Sequence, residues 1–179
     1  MAGCAAAVRV RKTDPGRGVP ATRMSDTLPL QTTLRDAILT APSADAAMQR
    51  VVTLLAQQRA HYTWVGIYLL EGDELVLGPF VGKPSPHTRI PLGRGICGAA
   101  ATQKATLVVD DVNADPRYLA CSLETRSEIV VPIMDRGRVL GEIDIDSDRP
   151  AAFDRHDRAL LEAVAEALAR PLAARSVDH

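Results

Sequence analysis

The stretch SEIVVPIMDRGRVLGEIDIDS, residues 127–147, decides the fold. Two runs rich in β-branched residues flank Asp135-Arg136-Gly137, which reads as a β-hairpin. A three-residue loop with Gly137 in the left-handed position sets Met134 opposite Arg138. That register puts Glu128 opposite Asp144 and Arg126 opposite Asp146. Side chains alternate across a strand, so Ile129, Val131, Ile133, Val139, Ile143 and Ile145 share one face. Glu128, Asp144 and Asp146 share the other, with Val130, Pro132, Met134 and Leu140. A two-residue loop would slip the register and turn Glu128 toward the isoleucines, which favours the longer loop. Three carboxylates on one face are costly unless a cation or hydrogen-bond donors meet them. The alternative is a solvated face, common in antiparallel sheets.

Working outward, residues 62–70 (YTWVGIYLL) predict a strand, EGDE a turn and LVLGPFVG the returning strand. Trp64 and Tyr68 are four apart and point the same way, a spacing that suits core packing as well as a ligand platform. Helices are expected over 32–41 and 43–60. In the second, Ser43 is a candidate cap and Met48, Val51, Val52 and Leu55 form the apolar stripe. HTRIP and TLVV read as short strands and ICGAAATQ as a short helix, with a long connection over DDVNADPRYLACSLET. The closing helix, FDRHDRALLEAVAEALARPL, carries Asp154 as its cap and buries Leu160, Leu161, Val164 and Leu168. The expected fold is α+β: a central antiparallel sheet with terminal helices packed on one face and a small-molecule pocket under loops on the other.

The chain has 179 residues, 46% hydrophobic and 24% charged, which suits one domain with a single core. A net charge of −1 points to no nucleic-acid partner, and no apolar run approaches the ~20 residues that span a bilayer. Residues 1–27 are basic, carry no hydrophobic period and read as a disordered tail before a domain over 28–179. Met24 is a second candidate start. Without a visible export signal the expected compartment is the cytoplasm. Cys4, Cys97 and Cys121 form no CxxC pair, and neither they nor the histidines are spaced as metal ligands, so no metal is expected. No nucleophile-elbow serine is present.

GRGICG, residues 93–98, matches a dinucleotide-binding fingerprint, with Asp115 about 20 residues on. The preceding HTRIPL is short and interrupted by Pro91, and no βαβ unit follows. The glycines are better read as serving a tight strand-to-helix turn.

WVGIYLL, DELVLGPFVGK, RIPLGRGICG, DDV, ACSLETRSEIVVP and GEIDIDS, taken in that order, resemble the GAF domain, and within it the free methionine-(R)-sulfoxide reductases. The resemblance implies a small-molecule pocket beneath loops. It makes Cys121 the thiol that attacks the sulfoxide sulfur, and Glu128 the acid that protonates its oxygen. Asp144 and Asp146 would hold the substrate amine, with Trp64 and Tyr68 packing on the thioether and amine. It also implies a sulfenic acid resolved by a second thiol, recycling by thioredoxin, no bound cofactor, and a homodimer paired through terminal helices.

Three-cysteine members of the family carry the resolving cysteine in the loop before RIP. This chain has KPSPHTRIP there, with Pro86 and His87 near the expected place, which leaves Cys97 as the candidate resolver or as a small apolar filler. Two other readings stand beside the reductase: a non-catalytic GAF module that binds an amine-bearing molecule, and a redox sensor using Cys97 and Cys121.

Overall fold

A computed structural model describes residues 22–119 and 122–175, with side chains from Leu28 onward. Cys121 and Cys4 lie outside the described residues, as does the expected tail up to residue 21. The first helix, α1 (Thr22–Leu39), starts inside the stretch expected to be tail and runs through Pro29. Leu30, Leu34 and Ile38 bury one of its faces.

Helix α2 (Ala44–Gln58) begins where expected, with the Ser43 hydroxyl accepting from the Ala46 N–H at 3.1 Å. Its stripe of Met48, Val51, Val52 and Leu55 is fully buried. Strands β1 (Trp64–Glu71) and β2 (Glu74–Val81) form the first hairpin, and β3 (Arg89–Pro91) adds an edge. Helix α3 (Gly95–Gln103) and β4 (Leu107–Val109) follow, then a 3₁₀ turn at Val112–Ala114 in the long connection. Strands β5 (Ser127–Asp135) and β6 (Arg138–Ser147) form the second hairpin, and α4 (Arg155–Arg175) closes the chain.

The six strands form one antiparallel sheet in the order β3-β2-β1-β6-β5-β4. Helices α1, α2 and α4 cover one face, where Ile129, Val131, Ile133, Ile143 and Ile145 meet their apolar stripes. The other face carries a second cluster built from Trp64, Tyr68, Ile96, Cys97 and Val130 beneath α3. The α+β architecture is thus the one the strand pattern implied.

The second hairpin corrects the expected register. Its turn has two residues, Arg136 and Gly137, both with positive φ (48° and 77°), and Asp135 pairs with Arg138. Met134 pairs with Val139 and Ile133 with Gly141, so Leu140 is an extra residue on β6. This bulge restores the face that a two-residue turn alone would lose. Glu128 therefore lies opposite Asp146, not Asp144, and Asp144 opposite Val130. Val139 and Leu140 exchange the faces expected of them: Val139 packs with the Trp64 cluster and Leu140 with the helix-covered core.

Asp154 caps α4, its Oδ1 accepting from the N–H of His156 (2.7 Å) and of Asp157 (3.1 Å). Asp157 Oδ2 accepts from the Asp154 N–H at 3.0 Å, and its Oδ1 takes the Tyr62 hydroxyl at 2.8 Å. No helix among the described residues is long and apolar enough to cross a membrane.

Candidate functional site

The α3-covered face holds four buried carboxylates: Glu128 on β5, and Glu142, Asp144 and Asp146 on β6. Asp146 lies across from Trp64 on one side and Glu128 on the other, and Glu142 lies across from Tyr68. Strand alternation alone brings them together, because residues 142, 144 and 146 share a face and Glu128 joins them across the ladder.

Trp64 is held flat by small neighbours. A side chain on Gly66, two residues along the same face, would meet the indole at 2.2 Å, and one on Gly82 at 2.5 Å. The indole N–H donates to the Lys83 carbonyl at 3.0 Å, and Phe80 stacks on the ring with centroids 5.8 Å apart. Tyr68 is fully buried, its ring centroid 6.3 Å from that of Trp64, and its hydroxyl donates to the His87 carbonyl at 2.8 Å. The loop that replaces the expected cysteine is thus tied down onto Tyr68.

Trp64, Lys83, Ser122, Glu124, Thr125 and Asp146 line a cleft of about 190 Å³. An exposed ion pair between Lys83 and Glu124 (2.6 Å) joins its two rims. Leu119 reaches the start of α3, where a side chain on Gly95 would meet it at 2.8 Å. Gly95 also takes positive φ (73°), and a side chain on Gly98 would strike the Pro91 carbonyl at 2.7 Å, so GRGICG serves the tight turn expected of it.

Helix α3 delivers Cys97 onto the carboxylates. The thiol donates to Asp144 Oδ2 at 3.4 Å and to Glu128 Oε1 at 3.8 Å. Burial, then the neighbouring Asp144, Glu142 and Glu128, hold this thiol well above the usual range, so it rests protonated.

The carboxyls are shifted the same way. Burial, followed by the charges of Asp144, Asp146 and Glu142, pushes Glu128 well up, against a small opposing pull from the Cys97 thiol. Burial and Asp144 raise Glu142 and Asp146, the latter eased by a bond from Thr125. Burial raises Asp144 to about 7. Among the described residues none of the four forms an ion pair. Arg117, whose guanidinium feels the charge of Glu128, is clamped by Asp115 at 2.9 and 2.6 Å. Both oxygens of Glu142 and Oδ1 of Asp144 lack a hydrogen-bond partner among the described residues. This is a carboxyl-rich floor whose ionisation a cationic ligand would favour.

Of the residues singled out from sequence, Trp64, Tyr68, Cys97, Glu128, Asp144 and Asp146 all converge on this face. Cys121 cannot be set against them, being outside the described residues. Glu142 escaped the sequence reading, although GEIDID gives it the same parity as Asp144 and Asp146.

The GAF domain family model matches residues 43–172. GAF domain-containing protein A of Dictyostelium discoideum is 40% identical over 134 residues, covering 74% of this chain and 84% of that protein. The free methionine-R-sulfoxide reductase of Escherichia coli (strain K12) is 38% identical over 122 residues, 68% of this chain and 73% of the reductase. The X-ray structure of free methionine-R-sulfoxide reductase from Neisseria meningitidis, in complex with its substrate, matches with a TM-score of 0.82 at 33% identity. That match covers 97% of this chain and 99% of the other.

Proposed function

Since this chain belongs to the GAF domain family, we propose that it reduces free methionine-(R)-sulfoxide to methionine at the cleft beside Trp64. The observation that carries the reading is the carboxylate floor. Four buried acidic groups with no ion pair among the described residues call for a cation from the ligand, and a free amino acid brings its ammonium group. Relatives that act on free methionine-R-sulfoxide supply the rest of the ligand.

The proposed chemistry divides the carboxyls by role. Asp144 and Asp146 receive the ammonium group, with Glu142 adding negative charge behind them. Glu128, kept protonated near neutrality by burial, gives its proton to the sulfoxide oxygen as the Cys121 thiolate attacks sulfur. The oxygen passes to Cys121 as a sulfenic acid and methionine leaves. A second thiol then displaces that oxygen as water, forming a disulfide that a dithiol reductant such as thioredoxin reopens. Cys97, which α3 seats on the same carboxyl floor, is the thiol proposed to resolve the sulfenic acid, giving up its proton as it attacks. A homodimer completes the proposal; exposed Leu28 and Leu39 on α1 offer apolar surface for it.

The test is turnover of free methionine-(R)-sulfoxide with dithiothreitol or thioredoxin, with Cys121→Ser and Cys97→Ser in parallel. The proposal expects methionine from the unmodified protein, none from Cys121→Ser, and activity in Cys97→Ser only with dithiothreitol. Absence of turnover by the unmodified protein with either reductant would overturn it and favour a ligand-binding module.

A further inference from the structure

Cys97, Glu128 and Asp144 are separated by 31 and 16 residues, yet one atom from each lies within 4.8 Å of the others. The thiol sulfur stands 3.4 Å from Asp144 Oδ2 and 3.8 Å from Glu128 Oε1. A tetrahedral zinc ion, with sulfur at about 2.3 Å and carboxylate oxygens at about 2.0–2.2 Å, sets sulfur-to-oxygen edges of about 3.5 Å. The two sulfur-to-oxygen distances are thus close to the edges of such a tetrahedron, and the third edge, between the carboxylate oxygens, lies within 4.8 Å.

A second observation points the same way. Asp144 Oδ1 and both oxygens of Glu142 are buried on this face without a hydrogen-bond partner among the described residues. Unpartnered buried carboxylate oxygens are costly, and a divalent cation removes that cost. A thiolate combined with carboxylates suits zinc or cobalt better than magnesium or calcium, which favour all-oxygen shells. Asp146, opposite Glu128 on the ladder, lines the cleft and gives an ion its way in.

We propose that Cys97, Glu128 and Asp144 form a binding site for Zn²⁺, with three protein ligands and an open fourth position. Binding replaces the thiol proton, which leaves to solvent, and no electron is transferred. An ion there occupies the acid and the resolving thiol of the reaction proposed above, so zinc inhibits turnover. The inhibition rests on that reading, whereas the binding does not.

Cobalt alone is the probe, because a thiolate bound to Co²⁺ gives a near-ultraviolet charge-transfer band that carboxylates do not. The reduced, full-length protein, freed of metal by a chelator, is titrated with Co²⁺ and then with Zn²⁺. The site predicts a band that saturates at one cobalt per chain, vanishes on adding zinc, persists in Cys121→Ser and is absent in Cys97→Ser. Glu128→Gln and Asp144→Asn, which keep side-chain size, weaken cobalt binding by about tenfold or more. They decide the matter should Cys97→Ser fail to fold. A missing band in the unmodified protein, or a band that survives in folded Cys97→Ser, would overturn the site. Sulfoxide reduction without cobalt binding refutes the metal site alone, and cobalt binding without reduction refutes the function alone.

Discussion

Glu128 on β5 stands directly across the ladder from Asp146 on β6, both buried, with no cation paired to either among the described residues. Two carboxyls in that relation share one tendency: each resists ionising while the other is charged. Ionising both therefore costs the ligand-free fold a repulsion that a cationic ligand would relieve.

The stability of the ligand-free protein carries the sign of that repulsion. Glu128, Glu142, Asp144 and Asp146 are all raised in the folded state. As pH rises above about 4 the unfolded chain ionises these groups while the fold resists, so stability falls through about 7, where Asp144 titrates. Thermal melts between acid and mildly alkaline pH should show a falling melting temperature, and free methionine-(R)-sulfoxide should flatten the slope. Asp144→Asn and Glu142→Gln should each raise the melting temperature at alkaline pH while weakening substrate binding.

Asp157 carries the opposite sign. Burial pushes its carboxyl up, but His61, whose Nε2 lies 3.5 Å away, and bonds from the Asp154 N–H and Tyr62 outweigh it and hold the group at about 2. Its contribution is complete above the unfolded value of about 4 and is lost as pH falls toward 2. Asp157→Ala should destabilise the protein by about 2–3 kcal/mol at neutral pH through loss of the cap and the buried Tyr62 bond. Denaturant unfolding measures this, and the KM should stay unchanged, because Asp157 is on the far side of the sheet.

Trp64 is the only tryptophan in the chain, so intrinsic fluorescence reads the cleft directly. Free methionine-(R)-sulfoxide should change that emission in a saturable way, and Asp146→Asn should shift the titration to higher concentration. Gly66→Ala drives a methyl group into the indole and should both displace the emission maximum and cost about 1–3 kcal/mol in stability. An unchanged spectrum in Gly66→Ala would contradict the placement of the ring.

How far the sequence reached is clearest in the second hairpin. Period-two alternation alone separates the isoleucines from Glu128, Asp144 and Asp146, and the two faces are as alternation divides them. The turn was not legible, because Arg136 adopts a positive φ that favours glycine or asparagine. The bulge at Leu140 was not legible either: it is a shift in pairing, marked by nothing in composition. The two features offset one another in parity beyond the bulge, which is why the faces of Glu128, Asp144, Asp146 and the isoleucines came out right while those of Val139 and Leu140, and the cross-strand partners, did not. Cys97 against Asp144 is a matter of how α3 seats on the sheet, a tertiary relation that local spacing cannot encode. Helix α1 entering at Thr22 was masked by a basic stretch and by Pro29.

The central claim is that the carboxylate floor receives the ammonium group of a free amino acid. It is tested most directly by comparing kcat/KM for free methionine-(R)-sulfoxide with that for the N-acetylated form, which keeps the sulfoxide and removes the charge. The account predicts turnover of the free amino acid and a loss of about 100-fold or more on acetylation, since a desolvated site built for one charged group rejects a ligand lacking it. Equal kcat/KM for the two would contradict it.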